Sequence, residues 1–107
     1  MTAEPVFDDI IHSPVRLRIC GLLRAPEQLE FAAIRDTLGV SDTTLSKNLK
    51  VLAQAGFVLV DKGPSPKRGD ARRLTWVALT GKGRGALEGH LAALARIAAG
   101  TPGSTPV

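Results

Sequence analysis

Apolar residues recur along the chain at helical spacing in several stretches, most of them opened by a residue suited to cap a helix. Val15, Ile19, Leu22 and Leu23 follow the i, i+4, i+7, i+8 pattern of a helix with one face on a core. Ser13 and Pro14 precede that stripe, a capping hydroxyl and then a proline at the first helical position, where its missing N–H removes no bond. Arg16, Arg18 and Arg24 lie off the stripe, and the helix stops before Pro26, because a proline pushes the residue before it out of helical backbone. A second helix is predicted from Ala32 through Ile34 and Leu38 to a glycine cap at Gly39. Leu45, Leu49 and Leu52 form the stripe of a third, capped by Ser41 and ended at Gly56. Only Val40 and Ser41 separate Gly39 from this third helix, a short glycine turn with an apolar plug.

After Gly56 the period changes from helical to extended. Phe57-Val58-Leu59-Val60 is β-branched and aromatic, a strand by composition. Residues 63–70 hold two prolines and two glycines and are expected to be a loop. Residues 74–79 are a second strand, with Val77 and Leu79 on one face and Leu74, Trp76 and Ala78 on the other; together the strands make a hairpin. Thr80 caps a last helix over residues 81–98, whose Leu87, Leu91, Leu94 and Ala98 make a seam for pairing with another helix. Gly81, Gly83, Gly85 and Gly89 weaken it, each by about 1 kcal/mol against alanine. Residues 7–11 are expected to form one or two helical turns, and residues 29–31 a brief extended stretch. The fold class expected is mainly α with a small β-hairpin (α+β), as one domain over residues 1–98 with a disordered tail at 99–107.

Composition narrows the function classes only modestly. The chain has 107 residues, a formal charge of +4 and a pI near 9.8, compatible with a polyanionic partner. Its one cysteine, Cys20, excludes an internal disulfide and lies beside the apolar stripe of the first helix, the place of a small buried hydrophobe. No apolar run approaches the roughly 20 residues that cross a bilayer, and no signal-peptide layout opens the chain, so no membrane is expected and the cytoplasm is the expected location. His12 and His90 are far apart, with no acid or cysteine at ligand spacing, and each is expected at a surface or a helix end. No nucleophile turn, carboxylate pair or phosphate loop can be assembled. No catalytic, cofactor or metal residues are therefore assigned, and an enzyme is not expected.

The third helix carries the candidate chemistry. Opposite its leucines it presents Thr43, Lys47, Lys50 and Gln54, with Ser46 on the flank and Asp42 as its single acid. Small hydroxyls let a helix approach a surface closely and lysines favour phosphate, the pattern of a helix that enters a DNA major groove. The hairpin loop adds Lys62, Lys67, Arg68, Arg72 and Arg73 against Asp61 and Asp70, an excess suited to the DNA backbone.

The order of elements is that of a winged helix-turn-helix, and several motifs make the resemblance specific. Residues 51–58, Val-Leu-Ala-Gln-Ala-Gly-Phe-Val, resemble a passage of the bacterial ArsR and MarR regulators, and residues 40–50 are similar to their recognition helix. Leu79-Thr80-Gly81-Lys82-Gly83-Arg84 resembles the opening of their final helix, and Asp70-Ala71-Arg72 the wing motif of the MarR type. The resemblance implies a DNA-binding transcriptional regulator with a recognition helix at about 42–55, a wing at about 61–73 and a dimer helix at about 81–98. It places Thr43, Thr44, Ser46, Lys47 and Lys50 in the major groove of double-stranded DNA. It puts Lys67, Arg68, Arg72 and the neighbouring Arg73 on the flanking backbone or minor groove. A homodimer is expected through Leu87, Leu91 and Leu94 with Phe7 and Ile10 beside them. The cysteine-rich metal signature of ArsR sensors is absent from the corresponding helix, which reads Phe31-Ala32-Ala33-Ile34-Arg35. Two alternatives stay open: a winged helix that docks an acidic protein, and a repressor answering a ligand or redox signal through Cys20 or a core cavity. The sequence names no effector.

Overall fold

Three side-chain hydroxyls start three of the helices. In the structure, a computed structural model that describes residues 4–64 and 73–100, the helices are α1 (Pro14–Leu22), α2 (Phe31–Leu38), α3 (Asp42–Gln54) and α4 (Gly81–Ala98). Ser13 Oγ accepts from the Arg16 amide, Ser41 Oγ from the Thr44 amide at 3.1 Å, and Thr80 Oγ1 from the Gly83 amide at 2.9 Å. Each satisfies an amide that the first helical turn leaves without a partner. Gly39 ends α2 with φ of 67°, a left-handed conformation that a side chain disfavours, and its amide returns to Arg35 O at 2.9 Å. The chain then enters α3 within three residues.

The strands are β1 (Leu29–Glu30), β2 (Val58–Pro64) and β3 (Arg73–Leu79), in one antiparallel sheet of order β1-β3-β2. The expected hairpin is present, but it is not alone. The stretch between α1 and α2 pairs with the free edge of β3, Leu29 opposite Val77 and Glu30 opposite Trp76. β2 also runs further than its composition suggested: Gly63 lies opposite Leu74 and Pro64 opposite Arg73, within the segment expected to be loop. An edge strand tolerates a proline at its end, where the missing N–H can face away from the ladder.

Helices and sheet close over one core. Ile11, Ile19, Leu23, Ile34, Leu45, Leu52 and Val77 have no exposed surface, and Leu49, Phe57, Val58 and Leu87 are nearly as buried. Leu45, Leu49 and Leu52 therefore lie inside, as their spacing predicts, and Val40 packs against the same cluster from the turn. Leu87 departs from expectation. It is 1% exposed and belongs to the core of its own chain, so it is not available to a dimer partner. Leu91 and Ile10 also pack partly on this core, whereas Phe7 and Ile97 are 43% and 61% exposed.

Residues 7–11 form no helix. They make a single turn, in which Asp8 O accepts from the His12 amide at 2.9 Å and Asp8 Oδ1 accepts from the amides of Ile10 and Ile11. The carboxylate caps this one turn as it would a helix start, satisfying amides that a first turn leaves without a partner, and no second turn follows. At the other end, Ala99 caps α4 and Gly100 follows it, so the helix end claims two residues expected to belong to the tail. Residues 101–107 lie outside the described residues. Among the described residues no helix is long and apolar enough to cross a membrane.

Candidate nucleic-acid interface

α3 presents its polar face to solvent as one continuous row. Thr43, Ser46, Lys47 and Lys50 are exposed and, with Asp42, line an open hollow of about 490 Å³. Thr44 differs from the others. It is half-buried, and its hydroxyl takes part in the helix cap by accepting from Ser41 Oγ at 3.0 Å. Asp42, the single acid of α3, is paired with Arg35 of α2 at 2.9 Å. Arg35 also binds Asp36 at 2.9 Å, and the two carboxylates hold its guanidinium firmly protonated. The acid that would oppose an anionic ligand thus carries a cation beside it, a pairing across the helix-turn-helix that linear spacing did not reveal.

A second groove, of about 450 Å³, runs between α3 and the sheet. Phe31, Leu49, Ala53 and Val60 form its apolar floor, and Asp42, Ser46, Lys50, Lys62 and Thr75 its polar walls. Lys62 comes from β2, so the base of the hairpin adds a cation next to the α3 row. Lys67, Arg68 and Arg72 lie outside the described residues, and Arg73 enters β3 through its backbone.

Sequence reasoning missed the residues that hold α3 from behind. Arg16 of α1 donates from Nη1 to Asn48 Oδ1 at 3.0 Å, and from Nε to Ile10 O. Asn48 Nδ2 in turn donates to Thr44 O at 2.8 Å. Arg16 was legible only as a cation off the apolar stripe. Its role depends on the N-terminal turn lying beside α1 and α3, which no local pattern encodes.

His12 lies at the surface as expected, and His90 is a correction. His90 has no exposed surface and sits inside α4, while the N-terminal segment brings the exposed His12 to it. The Asp8 amide donates to His90 Nδ1 at 3.0 Å, and His90 Nε2 and His12 Nδ1 are 3.2 Å apart. The Phe7 ring packs at 4.7 Å from both imidazoles. A backbone N–H can only donate, so His90 Nδ1 must carry a lone pair and Nε2 the proton. Nε2–H then donates to His12 Nδ1 and is not free to bind a metal. Burial, and then the neighbouring His12, push the His90 pKa below its usual value against the smaller opposing pull of Asp8 and Asp9. Cys20 is fully buried and its thiol is pushed up to about 11, mainly by burial with the Asp8 carboxylate adding to it. A protonated, enclosed thiol is a poor redox sensor.

A helix-turn-helix, a two-stranded wing packed at its end and a cationic row on the third helix define a winged-helix DNA-binding protein. A family model described as "Winged helix DNA-binding domain" matches residues 15–98, and the chain belongs to that family. It is 34% identical over 82 residues to an uncharacterized protein of Methanocaldococcus jannaschii, covering 77% of this chain and 85% of the relative. Its fold is similar to that of a transcriptional regulator homologue from Pyrococcus horikoshii, with TM-score 0.77, 26% identity and coverage of 87% and 88% of the two chains. The PcaV transcriptional regulator of Streptomyces coelicolor shares the fold at TM-score 0.67 and 22% identity, over 86% of this chain and 61% of that one. The protein is thus a small winged-helix DNA-binding protein that shares its fold with transcriptional regulators.

Proposed function

We propose that the protein reads duplex DNA as a homodimer, with α3 in the major groove and the wing on the flanking backbone or minor groove. The observation that carries this reading is the α3 face: Thr43, Ser46, Lys47 and Lys50 exposed in one row, with Asp42 neutralised by Arg35. Lys47 and Lys50 reach guanine edges or phosphates, and Thr43 and Ser46 contact bases or backbone. Thr44 positions the helix start through its cap. Lys62 holds backbone phosphate at the groove between α3 and the sheet, with Lys67, Arg68, Arg72 and Arg73 continuing along the wing. The dimer forms through the exposed C-terminal half of α4, where Leu94 and Ile97 are accessible, with Val6 and Phe7 beside it. Two α3 helices then meet half-sites about 34 Å apart, one turn of DNA. The protein works in the cytoplasm, where it has access to the chromosome.

Selection of bound duplexes from a random pool tests this directly. The wild type enriches a sequence with two related half-sites, and Lys47→Ala changes the preferred bases. Lys62→Ala instead weakens all duplexes alike and lowers the slope of log affinity against log salt by about one. Failure to enrich any sequence, together with affinity that does not respond to salt, excludes the reading.

A further inference from the structure

We infer that His12 and His90 form a proton-sensitive latch that holds the N-terminal turn on α4 and, through Arg16 and Asn48, holds the DNA-reading helix in place. The coupling to DNA rests on the proposed role of α3; the latch itself does not.

The hydrogen-bond roles leave one protonation state for the closed latch. The Asp8 amide fixes a lone pair on His90 Nδ1, so the His90 proton is on Nε2 and His12 Nδ1 accepts it. A proton added to His12 Nδ1 sets two N–H groups against each other at the 3.2 Å contact. A proton added to His90 Nδ1 sets one against the Asp8 amide. Reversing the pair, with His12 as donor, would leave His90 with no proton on either nitrogen. Both rings must therefore be neutral, and either protonation breaks a link.

The groups facing His90 are few. His12, Asp8 and Asp9 come from the N-terminal segment. From α1 the buried Cys20 lies near Asp8 and stays protonated. Glu88, on α4 itself, is paired with Arg24 at 2.8 Å. The two aspartates favour protonation, but His90 has no exposed surface over which to hydrate a charge, and its neighbour is a second imidazole.

What the latch holds reaches α3. Asp8 gives its amide to His90 and its carboxylate to the Ile10 and Ile11 amides, Ile10 O accepts from Arg16, and Arg16 grips Asn48. The N-terminal segment is also tied to α4 by the Val6 amide, which donates to Gly89 O at 3.0 Å. Opening the histidine contact frees the turn that orients Arg16, so the support behind Asn48 is lost.

The sign of the effect separates this device from simple charge. These are the only two histidines of the chain. Adding positive charge by acidification should strengthen binding to DNA, whereas an opened latch weakens it. The experiment measures amide hydrogen exchange of residues 4–13 and 42–54, corrected for intrinsic rates, at pH 7.5 and 5.5. It also measures anisotropy of a labelled duplex enriched at pH 7.5 from the random pool. Exchange in both segments should rise at pH 5.5 and affinity should fall at least about fivefold, the low end of typical coupling between sites. His12→Asn keeps an acceptor for His90 but does not titrate, and it should move both transitions to lower pH. Unchanged exchange in residues 4–13 overturns the latch. Freed N-terminal amides with equal or tighter DNA binding overturn the coupling. If no duplex is enriched, the DNA reading fails instead, and exchange in the two segments still judges the latch.

Discussion

Gly83 of α4 lies directly on the carbonyl of Phe57, so close that a Cβ there would stand 2.0 Å from Phe57 O. Thr80 reinforces the contact, its amide donating to Phe57 O at 3.0 Å and its hydroxyl to Gly56 O at 2.7 Å. The start of α4 is thereby fastened to the end of the helix-turn-helix. Gly83→Ala is expected to cost at least about 1–3 kcal/mol, because the atoms it would meet are Phe57 backbone and must shift as a unit. Gly85 faces open space in the next turn, and Gly85→Ala should stabilise by about 0.5–1 kcal/mol. Urea unfolding of the two variants checks the pair, and equal effects would contradict the contact.

Cys20 should resist modification while the protein is folded. Its burial and raised pKa, about 11, predict negligible labelling by a thiol reagent at pH 8 and complete labelling in denaturant. The same shift makes stability fall as pH rises above about 8.5, because the unfolded thiol loses its proton there and the folded one does not. Rapid labelling of the native protein would reopen a redox role.

His90 predicts the opposite arm of the pH profile. Its folded pKa is lowered, so near pH 6.5 the unfolded chain binds a proton that the folded chain does not. Its contribution to stability is therefore fully present above that value and is lost as pH drops below it. The urea midpoint should be level from about pH 7 to 8 and decline toward pH 5.5; a flat profile across that range would contradict the buried neutral ring.

Ile97 is the better probe of the proposed dimer than any leucine of the seam. At 61% exposure it contributes little to its own core, so Ile97→Glu should leave the chain folded while light scattering reports a monomer. Leu87→Ala instead should lose about 2–5 kcal/mol of stability, the range for a buried leucine. A wild type that is monomeric at working concentration would remove the dimer from the proposed mechanism.

The chain's periodicities and caps determined much of this protein on their own. Ser13, Ser41 and Thr80 mark helix starts, Gly39 marks the turn, and Leu45, Leu49 and Leu52 mark the inner face of α3, because these signals act within a few residues of backbone. The polar row of α3 was legible for the same reason, as the other side of one helix. Tertiary structure alone decided what long-range contact controls. It paired β1 with β3, placed Arg35 on Asp42, drew Leu87 inside and brought His12 to a buried His90 that spacing had assigned to the surface. The glycines of α4 show the division most plainly. Local propensity counts Gly83 only as a weakness, whereas its value lies in the missing Cβ that lets the helix meet the Phe57 carbonyl, and that neighbour is 26 residues away in the sequence.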